Sequence, residues 1–331
     1  MNIFYITDNI LGIPGNGISS QAITWANILE KYCSQKVDLV NQWDSHNYGE
    51  NDIIHLFGSS GTWFYNVTKK MKGRGCKVIW SPICDNIDNP RIQKVKSYMG
   101  SDVLQVFSYP YIRKKTYKIV DRIFVRSNYE KQYLKNAFNV PANKFSLIPL
   151  SLSYNDNDVF EQNREPFCLH ISSISQPRKN VVRLVEAAKK YKFKLVLAGN
   201  KGSDKEFEKI KAAISDAPNI EVLGFISEEE KIALYKKAKV FALPSISEGV
   251  GIVALDAAHF GCDIVITEIG GPKEYYADNA KIVNPYNTDD IGTAIKELMS
   301  NSFQPGLKKN IDDAYSQEAI ANKLFLEYKS L

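Results

Sequence analysis

Short apolar runs alternate with longer amphipathic ones along this whole chain, and the alternation breaks once and then restarts. In the first half the strand-like runs are NIFYIT, KVDLV, DIIHLF, KVIWSP, VLQVF, DRIFVRS and FSLIPL. Between them, GISSQAITWANILEKY (residues 17–32) and NYEKQYLKNAF (residues 128–138) have helical periodicity. Residues 151–166, SLSYNDNDVFEQNREP, are polar and interrupt the pattern, which marks a linker. FCLHISS (residues 167–173) restarts it, and KLVLAG, IEVLGF, KVFALP, DIVIT and AKIVN continue it. Strands separated by helical stretches pair in parallel, because the crossover helix returns the chain to start each strand from the same end. The pattern therefore predicts an α/β chain of two domains, residues 1–155 and 165–310, followed by a terminal segment 311–331. Its 331 residues are too many for one small core and suit two.

Composition narrows the class. With 44% hydrophobic and 24% charged residues, and no apolar run near the eighteen or so that a span requires, the chain reads as a soluble globular protein. MNIFYITDNI lacks a basic region ahead of its apolar residues and predicts a first strand, not a signal peptide. Five scattered cysteines without a C-x-x-C pair fit reduced thiols and a cytoplasmic setting. Four distant histidines offer no metal-ligand spacing. The net charge of +5 is concentrated in KKMKGRGCK (residues 69–77) and RKKTYK (residues 113–118), with Trp63, Phe64, Tyr65, Tyr109 and Tyr111 nearby. An anionic membrane surface, with peripheral attachment, suits basic clusters beside interfacial aromatics. Solvated helix faces in a lysine-rich protein fit the same residues. No nucleic-acid motif accompanies the clusters.

Chemistry concentrates in SEGVGIVALDAAHFG (residues 247–261). Glu248 precedes a Gly249-Val250-Gly251 turn, a helical run starts at Ile252, and Asp256 follows Glu248 by eight positions. Glycines let the backbone approach a bulky anion, and free N–H groups at a helix start favour phosphate. Were all eight residues helical, the carboxylates would lie about 12 Å apart along the axis, matching a ligand with two hydroxylated ends and a central diphosphate. KVFALPS before this stretch and GCDIVITEIGGPKEYY after it complete a βαβ unit, whose ligands bind beyond the carboxyl ends of the strands. On the loop after FCLHISS, Pro177-Arg178-Lys179-Asn180 offers a cationic pair able to clamp a diphosphate.

This passage resembles the signature of the retaining glycosyltransferases of family 4, the glycosyl transferases group 1, which have the GT-B fold. The family pattern is Glu, seven residues, Glu, with Gly-Phe-Gly after the first acid; here Asp256 and Val250 replace the second Glu and the Phe. The resemblance implies two Rossmann-like domains with parallel sheets facing a central cleft, and a last helix, QEAIANKLFLEYKSL, crossing back to the first domain. It also implies that Glu248 orients sugar hydroxyls, Asp256 the ribose, and Arg178 and Lys179 the departing diphosphate. Donor contacts would come from Asn16, Gly17, Asn180, Gly249, Val250, Gly251 and Ile252. In LGFISEEEK the backbone at Ile226 would read the nucleobase, although an ordinary strand end with a Ser227 cap explains that segment equally well.

Departures from the family are specific. Ile174 stands where many relatives carry an additional arginine, so Arg178 takes that role. Ser81 and Pro82 stand where many place a histidine facing the donor sugar. His55 matches a histidine after the preceding strand, but a lone strand-end histidine is more often structural. His170 and His259 read as core residues. Asp156-Asn157-Asp158 lies in the polar linker and reads as no metal site. Nor does an acid follow KVDLV, where Asn41 stands, which disfavours a dehydrogenase. The implied activity is transfer of a hexose from a UDP- or GDP-sugar to a glycan or lipid-linked glycan acceptor, without a metal or other cofactor. A sugar-nucleotide epimerase and a non-catalytic nucleotide-sugar-binding protein are the rival readings.

Overall fold

The structure, a computed structural model, describes residues 2–7, 17–40, 45–58, 61–84, 88–154, 164–276, 279–301 and 305–331. The chain forms two compact units, one of residues 1–151 with 317–331 and one of residues 152–316.

The first unit holds β1 (Ile3–Thr7), α1 (Gly17–Cys33), β2 (Asp38–Leu39), β3 (Ile53–Phe57), α2 (Gly61–Lys72), β4 (Lys77–Ser81) and α3 (Pro90–Lys96). It continues through β5 (Gly100–Ser101), β6 (Val106–Phe107), α4 (Tyr109–Ile119), β7 (Arg122–Val125), α5 (Asn128–Phe138) and β8 (Phe145–Leu147). Its parallel sheet runs β2-β1-β3-β4-β7-β8. Every residue of β1 and β3 is buried, as expected of parallel strands covered on both faces. The terminal helix, Gln317–Lys329, belongs to this unit and packs on α1. Its Ile320, Ala321, Leu324 and Tyr328 are buried among Tyr5, Trp25, Phe57 and Phe124. Tyr328 Oη lies 2.7 Å from both Tyr5 Oη and His55 Nδ1, so a polar chain runs through that core.

VLQVF does not join this sheet. Val106 and Phe107 pair antiparallel with Ser101 and Gly100 in a separate hairpin, and Val103 and Leu104 at its tip are 90% and 73% exposed. Its apolar content looked like a buried strand because sequence pattern carries no information on what covers a strand.

The second unit holds β9 (Glu165–Ile171), α6 (Val181–Tyr191), β10 (Lys194–Ala198), α7 (Asp204–Ile214), β11 (Ile220–Gly224), α8 (Glu228–Lys237) and β12 (Ala238–Leu243). Then come α9 (Ile252–His259), β13 (Asp263–Thr267), α10 (Pro272–Tyr276), β14 (Lys281–Val283), α11 (Thr288–Ser300) and α12 (Pro305–Tyr315), before the terminal helix of the first unit, α13. Its parallel sheet runs β11-β10-β9-β12-β13-β14. Ser203 with Glu206 and Ser227 with Glu230 form capping boxes that start α7 and α8. From β9 the chain steps outward to β10 and β11, then returns to the other side of β9 with β12. That reversal makes the carboxyl ends of β9 and β12 a topological switch point, where diverging loops leave a crevice.

The packing of α13 on the first core yields a test. Leu324→Ala, at a fully buried position, should lower the stability of the first unit by roughly 2–5 kcal/mol in denaturant unfolding. An unchanged first-unit transition would contradict this placement of α13.

Candidate active site

At the switch point two loops meet: one leads from β9 through a 3-10 turn at Pro177–Lys179 into α6, the other from β12 into α9. The Ile246 N–H donates to the Arg178 carbonyl at 2.8 Å and joins them. Asn180, buried and in the left-handed region at φ 59°, strengthens the junction. Its amide donates to the carbonyls of Pro244 and Pro285 at 2.9 and 2.7 Å, and its Oδ1 accepts from Arg183 at 2.9 Å. The donor contact that the resemblance implied for Asn180 therefore finds a side chain already committed to holding loops.

Glu248 lies at the centre, 5% exposed. Its Oε1 accepts from Lys179 Nζ at 2.6 Å and from the Ser245 hydroxyl at 2.7 Å, and its Oε2 stands 3.2 Å from Arg178 Nη1. Arg178 also donates to the Ser247 carbonyl at 2.8 Å. Two cations around one carboxylate leave a local excess of positive charge, which favours a polyanion. The Glu248 main chain is equally fixed: its N–H donates to Ile269 O at 3.1 Å and its carbonyl accepts from Gly271 at 3.2 Å. Gly270 passes so close, at φ 118°, that a Cβ there would stand 1.8 Å from the Glu248 carbonyl oxygen.

Gly251 opens α9 at φ 83°, where a Cβ would press on Leu243 and Ile266 at 3.1 Å, and Tyr276 donates to its carbonyl at 2.9 Å. Val250 is 1% exposed, so only its main chain can face a ligand, whereas Ile252 is half-buried at the first helical position. Gly249 lies in the same turn. The amino end of α9 thus starts four residues beyond Glu248 on the same loop.

Asp256 lies elsewhere than the spacing implied. The helix begins only at Ile252, so the separation of the two acids is not a continuous helical rise. Its carboxylate, 3% exposed, accepts from the Ser153 N–H at 3.1 Å and from the Ser153 hydroxyl at 3.0 Å. Burial pushes its pKa up to about 6 despite those two hydrogen bonds. A ribose would have to share this carboxylate with Ser153.

Ile226 is half-buried just past β11, at the carboxyl rim of the same sheet but two strands from β9, or roughly 10 Å at ordinary strand spacing. Beside it Phe225 is 85% exposed. In the first unit Gly17 begins α1, exposed, with open space where a Cβ would stand. Asn16, Asn41 and Asp156-Asn157-Asp158 lie outside the described residues. Three of the four histidines are core residues: His55 is fully buried between Tyr328 and Ser81, and burial holds it well below the ordinary imidazole range. His170 is buried between Ala242 O and Ser172, its pKa lowered to about 4 by burial, and His259 pairs with Asp312 at 2.6 Å. Among the described residues no group of three His, Cys, Asp or Glu stands ready to hold a metal ion.

Ser245 and Ser153 escaped the motif reading, whereas Gly270 belongs to the glycine pair that follows DIVIT in the βαβ unit. Ser245 carries a signal, a hydroxyl three residues before the acid in SISEG; the contact of Ser153 with Asp256 spans 103 positions and carries none.

The raised pKa of Asp256 makes a stability prediction. The folded state binds that proton more tightly than the unfolded chain, near 3.8, so stability should fall as pH rises from about 4 to about 6. Asp256→Asn, which can keep both Ser153 contacts, should flatten that slope and stabilise the protein at pH 7 by on the order of 3 kcal/mol. Unfolding midpoints measured across this range check it, and equal slopes in both proteins would contradict it.

Residues 155–318 match the model of the family glycosyl transferases group 1. An uncharacterized glycosyltransferase of Methanocaldococcus jannaschii is 24% identical over 93% of this chain and 81% of its own length. O-antigen chain mannosyltransferase B of Escherichia coli is 23% identical over 66% of this chain, which spans 54% of that protein. The structure of Anabaena HepE in complex with UDP superposes with a TM-score of 0.76 over the full length of both chains at 13% identity. With its switch-point cluster inside residues 155–318, which match the glycosyl transferases group 1, and its two parallel-sheet units, the chain is a glycosyltransferase of GT-B fold.

Proposed function

We propose that the enzyme transfers a hexose, with retention at the anomeric carbon, from a nucleoside diphosphate sugar to a hydroxyl of a glycan or lipid-linked glycan. The observation that carries this reading is the convergence of Arg178 and Lys179 on Glu248 at the switch point. A donor diphosphate arriving there would compete with Glu248 for the two cations and face the amino end of α9, where N–H groups stabilise departing negative charge. Glu248, partly released, would then accept hydrogen bonds from sugar hydroxyls while Ser245 keeps it in place. Among the described residues, the Ser245 hydroxyl beside Glu248 is engaged in donating to its carboxylate, which disfavours a covalent route through it. The acceptor oxygen would therefore attack from the leaving-group side: the new C1–O bond forms, the bond to the diphosphate breaks, and a diphosphate oxygen takes the acceptor proton.

The buried charge at Asp256 supports a ribose role, because a carboxylate that weakens the unliganded fold near neutral pH suits a functional site better than a structural one. Ile226 and Phe225, at the rim of the same sheet, would meet the base. The name of the Escherichia coli relative makes mannose the first sugar to assay, and the UDP of HepE makes uridine one of two bases to compare with guanosine. Thermal-shift panels of UDP-, GDP- and ADP-sugars identify the donor, since a ligand of the folded state raises its melting temperature. Product analysis with and without acceptor excludes the epimerase and the non-catalytic binder.

Two titrations test the roles. Lys179→Ala should weaken nucleoside diphosphate binding by roughly 1.5–3 kcal/mol, the scale of one charge-assisted bond. Glu248→Gln should not weaken affinity for the nucleoside diphosphate, because it removes a competitor for Lys179 and Arg178, and it should depress turnover, since misalignment at the reacting carbon acts on the rate. Asp256→Asn should weaken the bare diphosphate. Calorimetry in which Glu248→Gln weakens it as much as Asp256→Asn would contradict this division of roles.

A further inference from the structure

The hairpin at residues 100–107 carries apolar surface that nothing in its unit covers. Val103, Leu104 and Val106 are 90%, 73% and 62% exposed, and Tyr98 and Met99 on its approach 62% and 60%. The hairpin is nevertheless held firmly. Ser108 donates through its hydroxyl to Lys96 O and through its N–H to Met99 O, Asp102 pairs with Lys115 at 2.6 Å, and Phe107 stacks on Tyr111. Gly100 could not carry a side chain, because a Cβ would meet the Tyr111 ring at 2.5 Å. This is a built projection with an aliphatic tip and an aromatic base.

Charge surrounds it asymmetrically. From residue 90 to residue 118 there are seven Lys or Arg and a single acid, Asp102. Lys94, Lys96 and Lys118 are exposed, and Lys114 Nζ lies 3.0 Å over the Tyr98 ring. On the α3 side a hollow of about 500 Å³ is lined by Arg91, Lys94, Lys135 and the amides of Asn136 and Asn139. The other basic cluster does not belong to this surface. The amino end of α2 touches the hairpin side, where Tyr109 crowds Gly61, whereas Lys72 near its far end pairs with Asp121 at 2.8 Å.

Resting on the reading of a lipid-linked acceptor, we infer that this hairpin docks the enzyme on an anionic lipid surface. Val103 and Leu104 enter the acyl boundary, Tyr98 and Phe107 lie at headgroup level, and the α3 and α4 cations meet lipid phosphates, one seated in the Arg91–Lys94–Lys135 hollow. A second copy of the same face would set like charge against like, so self-association there is disfavoured. Position adds to the case: α2 follows the carboxyl end of β3, so the hairpin beside its start stands at the sheet end where α/β domains bind ligands. Docking there would bring the first unit's acceptor loops to the membrane.

The test is co-sedimentation of the full chain with phosphatidylcholine vesicles, with and without an equal part of phosphatidylglycerol. A Val103→Ser/Leu104→Ser variant is measured alongside, with size-exclusion and nucleoside diphosphate thermal shifts as controls. The wild type should bind only the anionic vesicles and be released by high salt. The variant should bind roughly tenfold or more weaker while remaining monomeric, with its thermal shift unchanged. Equal sedimentation of the two proteins would overturn the role of the hairpin. Failure of the wild type to bind any vesicle would overturn membrane docking, while a persisting nucleotide shift would leave the transferase reading intact. A wild-type dimer dissociated by the substitutions would give the surface to a second copy instead.

Discussion

A carboxylate that is 5% exposed cannot stand alone, and the partners Glu248 recruits organise the second unit around it. Lys179 and Arg178 come from the loop after β9, Ser245 from the loop after β12, and Gly270 and Gly271 from the loop after β13. Three successive carboxyl-end loops are thus joined through one residue. Removing a single partner of such a group leaves charge without compensation, so the cluster couples the integrity of the loops to the chemistry. In the unliganded chain Glu248 also occupies the two cations that the diphosphate would use. The site is thereby neutralised and ordered before ligand arrives, which lowers the cost of assembling it.

Motifs whose parts lie close together in the chain were legible before the structure. Pro177–Asn180 combines a proline turn and a cationic pair with a helix start, Glu248–Asp256 combines glycines and acids with one, and each falls at the predicted strand end. The alternation of strand and helix located both parallel sheets, because buried parallel strands are continuously apolar. Asp256 escaped: the eight-residue spacing assumed an unbroken helix, but the turn through Gly251 consumes half of it, and Ser153 is brought up by the fold alone. VLQVF escaped for a related reason. Its pattern is that of a strand, but only Val106 and Phe107 form one while residues 103–105 turn the hairpin, and coverage is a tertiary property that no local window records. The two basic clusters were read as one signal, yet α2 carries its lysines toward the opposite end from the hairpin.

The two units divide stability from specificity differently. The first unit places His55, Tyr5 and Tyr328 in a fully buried polar chain that secures its terminal helix, with no group of it facing solvent. A histidine at a strand end would have suggested acceptor chemistry; burial makes it a support instead. The second unit keeps buried ionisable groups at its site, Glu248 in the loop after β12 and Asp256 within α9, where burial favours the protonated form of Asp256. That asymmetry accords with the proposal that donor chemistry lies in the second unit and acceptor preference in the loops of the first.

The most direct measurement is a crystal structure of the enzyme with a nucleoside diphosphate bound. The account predicts β-phosphate oxygens within hydrogen-bond distance of Lys179, Arg178 and the first N–H groups of α9, with the Lys179–Glu248 contact lengthened or lost. A nucleotide bound away from the switch point, with that ion pair still at 2.6 Å, would contradict it.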